Sequence, residues 1–296
     1  MNKHAYLIMA HDDLSLLKKL IKQIDAPFND IYIHIDSKSA IHDKEVMNVT
    51  RFSNIIMCPR IDVKWGGYSQ IECELNLMKT ALKDCKHSYY HLLSGHDMLL
   101  KPARVVYDYF ENSGKNHVGF NLDRLKESNY SRYSYYHFNI HFRLKRILLK
   151  VQRLFGVDRI KKSGWVYMKG ANWFSIREDA AKYVVSQEKK IKKQFIHTTA
   201  GDELFLQTVL YNSDFRPSLS TDYDDISYRV VDESGCCMSC MRAIHWPDEW
   251  ETPHPKTFVM NDYELLKKNK AMFARKFATN VDEEVINRIY HDTVIE

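Results

Sequence analysis

HAYLIMAHDDLSLLKKLIKQIDAPFNDIYIHIDSKS, residues 4–39, decides the fold. Its opening HAYLIMAH is an apolar run that reads as a buried strand. DLSLLKKLIKQI then carries leucine and isoleucine at helical spacing, and DIYIHIDSKS is a second strand that ends on an aspartate. That order is a βαβ unit, and the chain repeats it. NIIMCPR (54–60) reads as a strand, SQIECELNLMKTALKDC (69–85) as an amphipathic helix, and SYYHLLSGHDMLL (88–100) as a strand ending in a polar turn. Strands alternating with helices predict an α/β protein with a largely parallel, doubly wound sheet and ligand loops at the strands' carboxyl ends. Asp36 and the Ser94–Asp97 turn occupy two such ends. Neither a Walker A sequence nor GxGxxG follows the first strand, which speaks against a P-loop NTPase or an ordinary dinucleotide domain.

The 296 residues, 45% of them hydrophobic, suffice for one large α/β domain, and with few glycines and prolines the whole chain, 1–296, reads as one. AYLIMA near the start is too short for a spanning helix and runs straight into HDD, so a cytoplasmic location is expected. Six cysteines without framework spacing predict reduced thiols, and the single CxxC within CCMSC (236–240) has no second pair to complete a zinc site. A net charge of +5 permits an anionic ligand or an anionic membrane surface. Nucleic acid is not expected, because the basic residues are not interleaved with an aromatic platform. Residues 137–163 stand apart as a basic amphipathic insertion. Leu144, Ile147, Leu148, Val151, Leu154 and Phe155 form one helical face, and Arg143, Lys145, Arg146, Lys150 and Arg153 largely occupy the rest. Such a helix either lies on an anionic membrane or packs its apolar face on the core. SGWVYMKGANWFSIREDAAKYVV (163–185) then predicts a strand, a glycine turn, and a second strand leading into a helix.

HTTAGDELFLQTVL (197–210) sets two adjacent acids before an apolar helix. Thr199 and Asp202 fit a capping box at that helix start. Glu203 is then a surplus carboxylate at the edge of a buried helix, either a general base or a solvated first-turn glutamate.

AYLIMAH, IYIHIDSKS, VKWGGYSQIECELNLMKTAL, YYHLLSGHDMLLKP, GANWFSI, GDELFLQTVL, MRAIHW and HPKT…MFARKF, in this order and spacing, resemble the core-2/I-branching N-acetylglucosaminyltransferase and peptide O-xylosyltransferase family, over nearly the whole chain. The resemblance implies a GT-A-type, Rossmann-like fold and an inverting glycosyltransferase that uses a UDP-sugar. It makes Glu203 the catalytic base, with Asp202 capping and orienting. It also implies metal-independent catalysis, with Arg242 in MRAIHW and Lys276 in FARKF meeting the diphosphate and Arg275 a close competitor. LLSGHD, where many GT-A enzymes hold a metal, has only Asp97. TDYDD (221–225) contains an Asp-x-Asp but lies late in the chain and reads as a solvated loop.

Asp36 matches the family position that contacts the uridine, and His11, ending the first strand, is placed to approach the nucleotide. Trp65 with Gly66 and Gly67 allows close approach of a ring or backbone, and Trp173 after Gly170 offers a stacking surface for a sugar. The expected reaction is transfer of a sugar to a glycan hydroxyl. N-acetylglucosamine leads, with xylose, glucose, galactose and glucuronic acid as alternatives. The chain has the look of a bacterial form acting in cell-surface polysaccharide or lipopolysaccharide synthesis on an oligosaccharide or lipid-linked acceptor, with possible peripheral membrane contact. A nucleotide-sugar hydrolase and a non-catalytic glycan-binding scaffold are the competing readings.

Overall fold

The computed structural model describes residues 2–120, 127–138, 140–220, 236–237, 239–245 and 255–294. The βαβ opening is β1 (Lys3–Ala10), α1 (Leu14–Ile24) and β2 (Asn29–Ile35), followed by β3 (Asn54–Met57), α2 (Tyr68–Asp84) and β4 (His87–Ser94). Strand β2 is buried along its whole length, as a parallel strand covered on both faces must be. After β4 come β5 (Asp97–Leu99), α3 (Ala103–Ser113), β6 (His117–Val118), α4 (Glu127–Ser134), α5 (Phe142–Leu154), β7 (Phe174–Arg177), α6 (Glu178–Ser186), α7 (Glu188–Phe195) and α8 (Phe205–Tyr211). The chain closes with β8 (Cys236–Cys237), β9 (Arg242–Ile244), α9 (Tyr263–Lys268), β10 (Phe273–Arg275) and α10 (Glu283–Val294).

Two sheets organise these elements. The larger has the order β3-β2-β1-β4-β7-β6; its first four strands are parallel, and β7 runs antiparallel to both its neighbours. The smaller has the order β5-β10-β9-β8, with β10 and β9 parallel. Helices α2, α6, α7 and α8 cover one face of the large sheet through Ile71, Leu75, Val184, Ile191 and Phe205, and α1 and α3 cover the other through Leu17, Leu20, Val106 and Phe110. A third apolar cluster joins the small sheet to α9 and α10. The expected α/β sheet flanked by helices is therefore what forms.

Three local expectations differ. The strand predicted around Trp165–Met168 does not form, because side chains of α8 and of Asn212, the residue that caps it, satisfy that backbone. Asn212 pairs with both the N–H and the carbonyl of Val166 (2.9 and 2.7 Å), and the Met168 N–H donates to Thr208 Oγ1 at 3.0 Å. FARKF, for which no strand is predicted, contains β10. Helix α5 does not pack its apolar face on the core: its one buried residue is Gln152, while Leu144, Ile147, Val151 and Leu154 are exposed. TDYDD lies outside the described residues, as does part of CCMSC; Cys58, Cys73, Cys85 and Cys240 are free thiols.

Candidate active site

Strand β1 ends at Ala10 and β2 at Ile35, so His11, Asp12 and Asp36 emerge side by side at the carboxyl edge of the parallel sheet. The turn after β4 joins them: Gly95 N–H donates to Met9 O at 2.9 Å, and His96 Nε2 lies 2.6 Å from Asp12 Oδ1. The Asp36 carboxylate accepts from Lys38 N–H (2.8 Å) and Val63 N–H (3.0 Å), locking the loop from β3 against β2. His11 is held below the usual imidazole range, first by burial and then by His96 and Lys276 against the opposing pull of Asp12 and Asp36. Lys276 thus belongs to this same edge.

Arg275 stands beside it on β10. Its guanidinium donates to Asp97 Oδ1 at 2.7 Å and lies 4.1 Å from the Trp173 ring centroid, so Asp97, Arg275 and Trp173 form one stack. Asp97 also accepts from Ser94 N–H at 2.9 Å, so both its oxygens are engaged in holding the turn and the arginine. Trp173 accordingly supports a cation.

Arg242 goes elsewhere. It is 1% exposed, and its guanidinium donates to Ser175 Oγ (3.0 Å), Phe174 O (2.6 Å), Leu92 O (3.3 Å) and Cys240 O, against the Phe273 ring at 4.7 Å. These partners belong to β4 and β7 of the large sheet and to the strands of the small one, so Arg242 staples the two sheets together. Of the three cations expected at the diphosphate, Arg242 is thus buried between the sheets, while Arg275 and Lys276 lie at the carboxyl edge.

Glu203 ends a short 3-10 turn, Gly201–Glu203, before α8. Lys169, whose side chain is 7% exposed, pairs with its Oε2, and Gly170 N–H donates to its carbonyl at 2.9 Å. The Glu203 side chain remains 31% exposed. Among the described residues Oε1 has no partner, which leaves it available to take a proton.

The Thr199–Asp202 capping box is not formed. Ala200 occupies the cap position in the left-handed region (φ 51), without a side-chain cap. Asp202 instead turns inward, accepting from Gln70 Nε2 at 3.0 Å. Gly66 (φ +68) makes this possible: its carbonyl accepts from Ala200 N–H at 2.8 Å, and its own N–H donates to Gln70 Oε1. Gly67 is the residue that caps α2 at its start, and Trp65 nearby is 71% exposed. The close approach that the two glycines allow is thus to the backbone of the Glu203 loop.

Beneath Glu203 lies a buried acid pair. Burial and then the neighbouring Glu203 charge push the Asp202 carboxyl up to about 7. Burial and then Asp202 push Glu74 of α2 well above the usual carboxylate range, with the Asn172 amide, in the orientation its surroundings favour, donating to it at 2.9 Å. Because the folded-state value of Asp202 exceeds the unfolded one, folding holds a proton on it from roughly pH 4 to roughly pH 7; its contribution to stability falls as pH rises through that window and is constant above it. Asp202→Asn imitates the protonated form. It should remove much of that slope and stabilise the fold near pH 8 by up to about 4 kcal/mol. Urea titrations near pH 5 and pH 8 test this, and an unchanged slope in the variant would refute it.

The segment Lys169–Trp173 joins the two halves. Lys169 holds Glu203, Gly170 lies against Gly119, the Ala171 carbonyl accepts from Gln207 Nε2 at 2.6 Å, Asn172 reaches Glu74, and Trp173 supports Arg275. Sequence reading found Gly170 and Trp173 but missed Lys169 and Glu74. A signal existed for Glu74, an acid on the Ile71–Leu75–Met78 stripe of α2; none existed for Lys169.

Two side-chain sets among the described residues bring possible metal donors within 4.8 Å of one another, His11 with Asp12 and His96, and Asp30 with Cys85 and His87. The first lies at the site. His96 Nδ1 donates to Phe277 O at 2.9 Å, turning Nε2 toward Asp12, an arrangement suited to a divalent cation but set beside the charge of Lys276. The second sits at the opposite end of the strands, where Lys3 neutralises Asp30 at 2.8 Å.

The chain is similar to known proteins along most of its length. Xylosyltransferase 2 of Rattus norvegicus is 26% identical over 303 residues, covering 95% of this chain and 32% of that protein. Xylosyltransferase 1 of Homo sapiens is 25% identical over 308 residues, covering 96% and 30%. The chain therefore spans about a third of the length of these curated relatives. Among solved structures, galactosyltransferase LgtC in complex with donor and acceptor sugar analogues shares 12% identity at a TM-score of 0.34, over 69% of each chain. The family description "Core-2/I-Branching enzyme" matches residues 4–270, and the chain belongs to that family.

Proposed function

We propose that this protein is an inverting, metal-independent glycosyltransferase that moves a sugar from a UDP-sugar to a hydroxyl of a glycan. The observation that carries the reading is that one five-residue segment holds a partly exposed carboxylate, Glu203, at one end and a rim cation, Arg275, at the other. In the reaction the acceptor oxygen bonds to the anomeric carbon while the bond from that carbon to the diphosphate oxygen breaks. The acceptor proton passes to Glu203 Oε1, and the nucleoside diphosphate leaves with the bonding pair opposite the new bond. Arg275 and Lys276 offset its charge, a role suited to a fixed guanidinium and an ammonium. Asp36 and His11, at the ends of β2 and β1, flank the uridine. N-acetylglucosamine is the donor sugar we favour, and xylose is its strongest competitor because the curated relatives are xylosyltransferases.

Calorimetric titration with UDP and a panel of UDP-sugars, with and without EDTA, tests the proposal, followed by product analysis with and without a glycan acceptor. Binding should survive EDTA and favour one sugar, and sugar should appear on the acceptor. Lys276→Met should weaken UDP about tenfold or more while leaving uridine affinity unchanged. Binding abolished by EDTA would assign the diphosphate to a cation on His11, Asp12 and His96. Free sugar released at the same rate without acceptor would make the protein a hydrolase, and no binding at all would make it a scaffold.

A further inference from the structure

Helix α5 presents to solvent what a globular protein ordinarily keeps inside. Leu144 and Ile147 are each 57% exposed, Leu154 is 82% and Phe155 77%, while the helix's one buried side chain is the polar Gln152. A contiguous apolar strip of this kind marks an interaction surface. Its surroundings say what it meets. Arg143, Lys145, Arg146, Lys150 and Arg153 lie beside the strip, and the chain has no acidic residue between Glu127 and Asp158. Apolar side chains set among five cations, with no acidic residue among them, match the boundary of an anionic bilayer, where headgroups overlie acyl chains.

The helix is also tied to the catalytic loop. Gln152 accepts from Tyr136 N–H at 2.7 Å and donates to Tyr136 O at 3.0 Å. One residue on, His137 N–H donates to His197 O at 2.8 Å, and the Phe138 ring lies 4.6 Å from that of His197. Arg159, just past α5, donates to Tyr135 O at 3.0 Å, His197 O at 3.2 Å and Gln194 O. Residues 197–200 lead directly into the turn that carries Glu203. Any surface on which α5 rests is therefore held in fixed relation to the catalytic base.

We infer that α5 lies in the headgroup region of an anionic bilayer, and that the acceptor presented to Glu203 is a glycan carried on a lipid of that bilayer. The second half rests on the transferase reading above. A helix of 13 residues lying in the membrane plane needs no spanning segment.

The test is co-sedimentation of the full chain with vesicles of phosphatidylcholine, with and without phosphatidylglycerol. Pelleting should require phosphatidylglycerol and weaken with salt. Leu154→Ser with Phe155→Ser, and separately Arg146→Glu with Lys150→Glu, should each lower apparent vesicle affinity about 25-fold or more. All four positions are exposed, so thermal midpoint and UDP affinity should stay at the wild-type values. Transfer to a lipid-linked glycan in the same vesicles should fall by a similar factor in both variants, and transfer to the free glycan should not change. The inference is overturned if the wild type stays in the supernatant, if both variants pellet like the wild type, or if the face proves to join two copies of the chain, seen as a dimer that Leu154→Ser with Phe155→Ser dissolves. A chain that transfers sugar to a free glycan but never pellets refutes this inference alone. A chain that pellets but neither binds UDP nor transfers sugar refutes the transferase reading and the acceptor half, and upholds the membrane contact.

Discussion

Glu203→Gln should lower kcat by about three powers of ten while UDP-sugar affinity stays within about twofold, because a positioned base acts on the proton in the transition state and not on the bound donor. The substitution also leaves Lys169, nearly buried, without its counter-charge, so some loss of stability is expected alongside. The double variant Glu203→Gln with Lys169→Met separates the two effects. It removes the unpaired charge and should recover stability, but it recovers no activity. Rates are read under saturating donor and acceptor, and stability by urea titration. If the double variant regains turnover, Glu203 serves only to neutralise Lys169 and the base lies elsewhere.

Gly170→Ala should be strongly damaging for a single added methyl. A Cβ there would sit 1.7 Å from Gly119 O, 2.6 Å from Gly119 C and 2.9 Å from Phe120 Cα, all backbone atoms that no rotamer change can move. The strain falls on a junction that also carries the hydrogen bonds from Gln207 to Gly119 O (3.2 Å) and Ala171 O (2.6 Å) and from Gly170 to Glu203 O (2.9 Å). A destabilisation of about 4 kcal/mol is expected, which lowers the melting temperature by roughly 10 °C. Activity should be lost even below the new midpoint, since Lys169 and Trp173 are displaced together. Gly114→Ala is the control. That glycine has φ +59 but nothing within 4 Å of its Cβ position, so only the smaller backbone penalty of about 1 kcal/mol applies.

What could be read in the sequence, and what could not, divides along physical lines. The β1-α1-β2 opening was legible because long apolar runs and a helical period are set by burial over many residues, and a parallel sheet fixes where its loops emerge. That is why His11, Asp36 and the Ser94–Asp97 turn could be placed at one edge. The small sheet was not legible, since strands such as Arg242–Ile244 and Phe273–Arg275 are too short to show a period. Trp165–Met168 alternates like a strand, yet its pairing partners are the side chains of Asn212 and Thr208, which no local pattern announces. Arg242 illustrates the limit of motif matching: its position in MRAIHW is the same whether the guanidinium points outward or, as here, staples two sheets. For α5 the sequence showed an apolar face but could not say whether anything covers it.

The segment Lys169–Trp173 has a consequence for engineering. It has no regular secondary structure, yet its side chains and backbone hold Glu203 at one end and Arg275 at the other. The spacing between these two groups is thus set by a residue count, and inserting or deleting one residue would put them out of register whatever side chains were chosen. Altering the proposed donor preference should therefore start from the loops that ring this cassette, with the five residues grafted or kept as one unit.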